Sequence, residues 1–437
     1  MLKRTLYGLG VTVAVIAGVV LTIALPWMLI GVLLVLLGLW LALTRLGRLT
    51  GSVTASGIAT LPQRWGSASV VVVGIAGVVG VLVALLAMAS GYQATFQSTG
   101  SADRAIVLRS GALSESSSNL DQASVMLIGQ KPQVAHDAAG APLISPEVVV
   151  AASLSKKGSR RYGSVTIRGV GGEVWAVRSG VKLIAGRRFT PGLRELDAGR
   201  DAMREFRHTS IGSSVTINGQ PWKVVGEFAH AGAHDSELWG DVNMVASTFH
   251  RGASVQSATV RLTSAQAIGA FKAALASDPR LKVQAQTTRA YYAKQSKGMT
   301  RVIRVLATVV GAIMAIGAMA GALNSMYAAV AARTREVATL RAMGFRGGVV
   351  VFSILAETLL LALGGGIVGA LIAWTLFHHF TASTMGPNFS AVVFQFRVTP
   401  RLIGQGLKWA LAIGFVGGLF PALRAARMPV TDGLREL

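Results

Sequence analysis

The sequence predicts an α-helical membrane protein of about six transmembrane helices, with a mixed α/β extracytoplasmic domain inserted between helices 3 and 4. Three observations carry that prediction. The 437 residues are 52% hydrophobic and only 14% charged. Several apolar runs approach or exceed the ~20 residues that a bilayer-spanning helix needs. Between them lies a polar stretch of about 200 residues, punctuated by Gly and Pro and alternating in the manner of strands, long enough to bury a core of its own.

The formal net charge of +23 is strongly basic, yet its distribution follows membrane topology. Outside Thr95–Thr300 there are 17 Lys and Arg against four acids, Glu336, Glu357, Asp432 and Glu436. Most of those cations flank the apolar runs, as the positive-inside bias requires. The middle region holds 25 basic and 15 acidic residues, a solvated surface with room for attraction to anionic headgroups. No nucleic-acid motif occurs, and no nucleic-acid partner is expected. The sequence has no cysteine, so neither a disulfide framework nor a thiol site can be argued.

Leu6–Leu43 is too long for one ordinary span. Pro26 divides it into stretches of about 19 and 18 residues, each able to cross at ~1.5 Å per residue. Lys3, Arg4, Arg45 and Arg48 place both ends inside. Residues 1–44 are therefore expected to form an uncleaved transmembrane hairpin, because the hydrophobicity runs far past a signal-peptide core. Residues 45–66, with Arg45, Arg48 and Arg64 and no acid, read as a cytoplasmic linker. Residues 67–94 hold helix 3, leading outward.

Residues 95–297 read as the periplasmic α/β domain. In SSVTINGQPWKVVGEF the apolar residues alternate around Asn218-Gly219, a dipeptide favoured in tight hairpin turns. SATVRLTSAQAIGAFKAALASDPRLKVQAQ reads strand, helix, strand, with Thr263 or Ser264 as the helix N-cap and Asp278-Pro279 as its stop. From Thr288 the pattern is helical, and residues 298–332 hold a stalk and helix 4. One continuous helix over Arg289–Ala332 would be about 65 Å long at ~1.5 Å per residue, more than twice the hydrocarbon thickness. Residues 333–348 follow as a short charged helix, 349–423 as helices 5 and 6 with a short periplasmic loop, and 424–437 as a cytoplasmic tail. Both termini are thus expected in the cytoplasm.

Enzymatic signatures are missing. No G-x-x-x-x-G-K-[ST] occurs, nor H-E-x-x-H, nor a G-x-S-x-G placed on a strand-turn-helix. No catalytic residue and no cofactor bound by this chain is assigned. HAGAHDSELW brings His230, His234, Asp235 and Glu237 together in sequence, but Ala231-Gly232-Ala233 after a strand reads as a polar surface loop, not as a helix face that would hold a metal. His378-His379 reads as interfacial.

Glu357 is the only acid within an apolar run, and burying it costs at least a few kcal/mol. It lies about two turns from the inner helix end, where an Arg or a backbone donor can satisfy it, so a structural anchor is preferred to a proton or substrate role. Lys408, near the outer end of helix 6, can snorkel. Gly317–Gly321, Gly365–Gly369 and Gly414–Gly418 each fit small-xxx-small spacing, for packing within one subunit or at a dimer seam.

The stretch RTREVATLRAMGF, Arg333–Phe345, lies between two spans. Val337, Leu340 and Met343 recur at three-residue intervals, Arg333, Arg335, Arg341 and Arg346 supply charge, and Gly344 can cap the end. Amphipathicity alone makes it a helix lying at the headgroups. With ETLLLALGGGIVGA after it and FPALRAARMPVTDGLREL at the end, it resembles the permease domain of the MacB/FtsX superfamily of ABC transporters. The matching positions are Arg333, Arg335, Glu336, Leu340, Arg341, Ala342 and Gly344, then Pro421, Ala422, Arg424, Ala425, Ala426, Arg427 and Pro429. The middle region resembles a MacB-type periplasmic core domain through VLRSGALSESSSNL, AGRRFTPGLREL, WKVVGEF and SELWGDV. The resemblance covers about Arg64–Leu437. The hairpin Leu6–Leu43 departs from it, since such permeases often need only four spans.

The resemblance implies the permease subunit of a type VII ABC transporter in a bacterial cytoplasmic (inner) membrane. ATP and Mg would be held by a separate ABC ATPase subunit. Its motion would be received by the coupling helix, through Arg333, Arg335, Glu336, Val337, Leu340, Arg341, Met343 and Gly344, and carried by the long helix to the periplasmic side for export or extraction of a substrate. The resemblance also implies a second permease, a homodimer before a heterodimer. Further implied partners are a periplasmic adaptor protein, an outer-membrane duct and membrane lipid. An FtsX-like signalling or scaffold subunit that regulates a periplasmic enzyme without transport is the alternative left open.

Overall fold

A computed structural model describes residues 25–386 and 390–429. In chain order it shows α1 (Trp27–Leu43), α2 (Arg45–Ala59), a 3-10 turn (Leu61–Arg64), α3 (Trp65–Thr99), β1 (Arg104–Arg109), α4 (Gln122–Gly129), β2 (Ile144–Ser155), β3 (Tyr162–Val170) and α5 (Val174–Val177). Then come β4 (Lys182–Gly186), β5 (Glu195–Gly199), α6 (Arg200–Glu205), β6 (Ser214–Ile217), β7 (Gln220–Ala229), β8 (Glu237–Asp241), α7 (Val242–Thr248), β9 (Ser257–Arg261) and α8 (Ile268–Ala276). The chain continues as β10 (Val283–Thr287), α9 (Thr288–Ala331), α10 (Thr334–Ala342), α11 (Gly347–Phe377), β11 (Thr381–Met385), β12 (Ala391–Gln395) and α12 (Pro400–Arg427).

Two compact units result: one from the chain up to Met88, Ile303–His378 and Arg397 onward, the other from Ala89–Val302 and His379–Phe396. The β11–β12 hairpin, read from sequence as a loop between spans, thus belongs with the α/β residues. Val393 N donates to Ser236 Oγ at 2.9 Å, and the Ser390 and Thr166 hydroxyls share a hydrogen bond.

In the helical unit, α3 is built on a β-branched run that disfavours helix in water. In hydrocarbon every backbone polar group must be satisfied within the segment, which makes helix the outcome. Among the described residues four helices, α3, α9, α11 and α12, are long and apolar enough to cross a membrane, or up to five if the bent pair α1–α2 is one span. The first arm of the expected hairpin, up to residue 24, lies outside the described residues, so the expected count of six has no full counterpart among them. The stretch read as a linker is largely helical. Thr44 caps α2 by accepting from Gly47 N at 2.8 Å, and the α1–α2 bend is 101°.

Glycines set the helix contacts. A methyl group on Gly369 would lie 2.3 Å from Ala76 O, and one on Gly365 would lie 2.7 Å from Val72 O, so α3 and α11 touch backbone to backbone. Likewise a methyl on Gly414 would lie 2.4 Å from Ala362 Cβ, and one on Gly418 would overlap Thr358. Gly317 and Gly321 on α9 have nothing within 4 Å of that position. Of the three small-xxx-small pairs, the two on α11 and α12 are therefore used within the chain. Lys408, expected to snorkel, is buried instead: its ammonium donates to Leu25 O and sits 5.4 Å from the Trp27 ring centroid.

In the α/β unit a ten-stranded mixed sheet runs β10-β1-β9-β2-β3-β8-β5-β7-β4, with β6 paired to β7. Asn218 and Gly219 both take positive φ, 48° and 76°, closing the β6–β7 hairpin with the primed turn its dipeptide favours. The strand period of two divides the sheet's faces. Val148, Ile167, Leu238 and Val260 enter the main core with Phe206, Trp222 and Phe271. Their neighbours Glu147, Arg168, Glu237 and Thr259 point to the other face, and all four are buried there.

Candidate functional site

The helical unit's site is α10 and its surroundings. The helix ends in a Schellman motif: Gly344 N donates to Arg341 O at 3.1 Å and Phe345 N to Leu340 O at 3.2 Å, with Gly344 at φ +93°. Only glycine adopts that backbone cheaply. One face of α10 is inserted. Val337 is 8% exposed and packs with Met326, Val350, Ile354, Ala422 and Ala425, so its neighbours are protein and not lipid. Arg333 also points inward: Nη1 meets Glu357 Oε2 at 3.0 Å, Nη2 donates to Gly57 O at 3.3 Å and also bonds Thr60 Oγ1, and Nε lies 3.5 Å from Glu336 Oε2. Glu357 thereby has its counterion, and α2, α10 and α11 are tied at one guanidinium.

The sequence reading grouped Arg333 and Val337 with residues that receive a partner. In the structure Val337 is buried and Arg333 half-buried against neighbouring helices of the same unit. Arg341 is half-buried and its Nη1 donates to Met428 O, fixing the end of α12. The exposed side of the segment is Arg335, Glu336, Thr339, Ala342 and Met343, the last 64% exposed. Beneath the helix a cavity of about 260 Å³ is lined by Gly57, Thr60, Arg333, Leu340, Ser353 and Glu357, among others.

The second candidate is the charged face of the sheet. Arg168 Nε and Nη2 bind both oxygens of Glu237 at 2.9 Å, and Nη1 binds Glu115 Oε1 at 2.7 Å and Glu147 Oε2 at 2.8 Å. Arg178 Nη2 grips Glu147 at 2.6 and 2.7 Å. Burial alone would raise the Glu147 and Glu237 carboxyls. The guanidiniums outweigh it and hold both below the usual range, with Arg178 and Arg168 acting on Glu147 and Arg168 on Glu237.

His234 is ordered by the same network. Arg178 Nη1 can only donate, so His234 Nε2, 2.6 Å away, accepts; the ring proton then sits on Nδ1 and is given to Glu237 at 2.9 Å. Burial pushes this imidazole down to about 3, Arg178 adding to the shift against Glu237, so it is neutral at pH 7. Tyr292 OH lies 3.5 Å from the same Nε2, and Tyr291 OH accepts from Glu115 N at 3.1 Å. Both tyrosines belong to the first turn of α9.

This overturns the reading of HAGAHDSELW as a surface loop. His234, Asp235 and Glu237 are 1%, 6% and 7% exposed, because Arg168 and Arg178, supplied from distant positions, partner Glu237 and His234, while Asp235 accepts from the backbone N–H groups of His230 and Ala231. The period-two placement of Glu147, Arg168 and Glu237 was the available signal. Among the described residues no group of three or more His, Asp or Glu is disposed to hold a metal.

Comparison with known proteins agrees with these two parts. The FtsX-like permease C-terminal family matches residues 308–430, and the MacB-like periplasmic core domain family matches residues 68–278. The uncharacterized ABC transporter permease YknZ of Bacillus subtilis is 27% identical over 65% of this chain and 75% of its own length. The macrolide export ATP-binding/permease protein MacB of Bordetella avium is 25% identical over 67% of this chain and 46% of its own, so the chain spans just under half of that relative. Among solved structures, the periplasmic region of MacB from Actinobacillus actinomycetemcomitans aligns at a TM-score of 0.34 and 17% identity, covering 43% of this chain and 90% of that one. With a MacB-like periplasmic core match preceding an FtsX-like C-terminal match along the sequence, the chain belongs to the MacB/FtsX-like family of ABC transporter permeases.

Proposed function

We propose that this permease couples ATP hydrolysis, with ATP and Mg on a separate ABC ATPase subunit, to export or extraction of a substrate on the periplasmic side by mechanotransmission. The observation that carries the reading is the construction of α10: inserted on one face by Val337 and Arg333, sealed by Gly344, and exposed on the other through Arg335, Glu336 and Met343. A short helix so held moves as a unit with the helices it touches. It follows α9 after only two residues, and α9 is one helix of 44 residues, about 66 Å at ~1.5 Å per residue. Its first turn carries Tyr291 and Tyr292 of the charged network, so displacement at α10 has a stiff covalent path to the α/β domain.

In this reading the membrane is the bacterial inner membrane, both termini are cytoplasmic, and six spans include the N-terminal hairpin. The second permease is an identical copy, for which Gly317 and Gly321 leave room on α9, and a periplasmic adaptor and outer-membrane duct are further partners. Leu340→Asp and Arg341→Glu test the coupling. Each is expected to leave the protein in the membrane while abolishing the ATPase stimulation that depends on the permease. Unchanged stimulation and transport phenotype reject the role of α10. Co-purification with a cell-wall hydrolase, in place of an adaptor, favours the FtsX-like signalling alternative.

A further inference from the structure

The α/β domain carries a basic surface that neither the charged network nor α10 uses. The β2–β3 hairpin ends in Lys156, Lys157, Arg160 and Arg161, turned at Gly158 with φ +72°. The end of α6 lies alongside: Arg207 donates to Lys156 O at 3.2 Å and Ser159 O at 3.4 Å, and Lys157 Nζ donates to Met203 O at 2.6 Å. Lys157, Arg160, Arg161, Arg204 and Arg207 are exposed. The acids nearby are engaged, Glu205 by Lys156 and Asp201 by Arg204, and their side chains are only 14% and 22% exposed. Tyr162, 74% exposed, stands at the same tip; an aromatic ring with a polar end is suited to the headgroup level of a bilayer.

Chain connectivity points to the partner. Ser383 Oγ, on β11, donates to Glu205 Oε1 at 2.9 Å, so the β11–β12 hairpin adjoins the patch. That hairpin is tied at both ends to helices able to cross the membrane, α11 ending at Phe377 and α12 beginning at Pro400. Extended chain spans at most about 3.5 Å per residue, which limits Thr381 to about 14 Å from the end of α11. A cationic surface tethered so near a bilayer meets a high local density of phosphate, and attraction to anionic lipid acts over about a Debye length. We propose that this patch docks on the anionic phospholipid headgroups of the leaflet from which α11 and α12 emerge.

The chain lacks cysteine, so Ser159→Cys gives the full-length protein a single thiol for a polarity-sensitive fluorophore. The labelled protein is placed in phosphatidylcholine nanodiscs with or without phosphatidylglycerol. The expected result is a headgroup-depth signal only in phosphatidylglycerol discs, reversed by high salt. Each charge removed in Lys157→Ser, Arg160→Ser and Arg161→Ser should lower the docked-to-free ratio about fivefold. These side chains are exposed, and unchanged melting of the variants confirms the fold. An equal signal in both discs, a signal that survives the triple substitution, or one that appears only when an acidic protein is added overturns the proposal.

Discussion

Replacing Arg168 by methionine strips the buried carboxylates of the α/β domain of their shared counterion. Arg168 is 1% exposed and reaches Glu115, Glu147 and Glu237, while Arg178 is paired with Glu147 among these three carboxylates. The network has three carboxyl groups against two guanidiniums, so the loss of Arg168 leaves three against one. Removing one partner of a buried ion pair costs about 3–5 kcal/mol. For a domain of this size about 1 kcal/mol moves the midpoint by about 2–4 °C, which places the Arg168→Met shift near 10 °C or more. Glu115→Gln, which instead balances the formal charges, should cost far less, about 1–2 kcal/mol. Trp239 donates to Glu237 Oε2 at 2.8 Å and makes tryptophan fluorescence a local reporter of thermal unfolding. A shift below about 3 °C for Arg168→Met, or a larger loss for Glu115→Gln, would refute the view that these charges stand or fall on one guanidinium.

Asp197 gives a pH test of opposite character. Burial raises its carboxyl to about 7, so between pH 4 and 7 the folded state binds the extra proton and stability falls as pH rises through that window. The gap from the ordinary 3.8 corresponds to on the order of 4 kcal/mol, and Asp197→Asn should recover much of it at pH 8.5 while changing little at pH 5 in paired melts. Arg333→Met should destabilise the helical unit by about 3–5 kcal/mol, and the double variant Arg333→Met with Glu357→Leu should recover part of that in detergent-stability measurements, because the acid is no longer left alone. Gly369→Leu should disrupt the α3–α11 contact and lower the yield of folded protein, whereas Gly317→Leu should leave the monomer folded. Gly344→Ala should cost about 1 kcal/mol through its positive φ, read as a lowered midpoint for the helical unit.

Long elements with one dominant period were legible in the sequence. The 44-residue α9 was visible as an uninterrupted helical pattern, and the β6–β7 hairpin as alternation around Asn218-Gly219. The short helix α10 could be placed from its charge and its glycine. What escaped was pairing at a distance. Arg168 and Glu237 are 69 residues apart, and nothing in either local stretch announces the other. The same holds for Lys408 with Leu25 O, and for Arg333, whose charge suggested a surface until Glu357, Gly57 and Thr60 were seen around it. The helix α2 was missed because its contacts with α11 run through small and hydroxyl residues such as Gly57 and Ser353, which carry no hydrophobic periodicity.

Site-specific photocrosslinking bears most directly on coupling through α10. A photoreactive residue is placed at exposed Met343 or at buried Val337 in the tagged full chain, in native membranes, and the crosslinked proteins are identified. Coupling through the exposed side of α10 predicts a P-loop ATPase captured from position 343 and not from position 337. Recovery of no ATPase from Met343, under conditions that preserve membrane complexes, would contradict it.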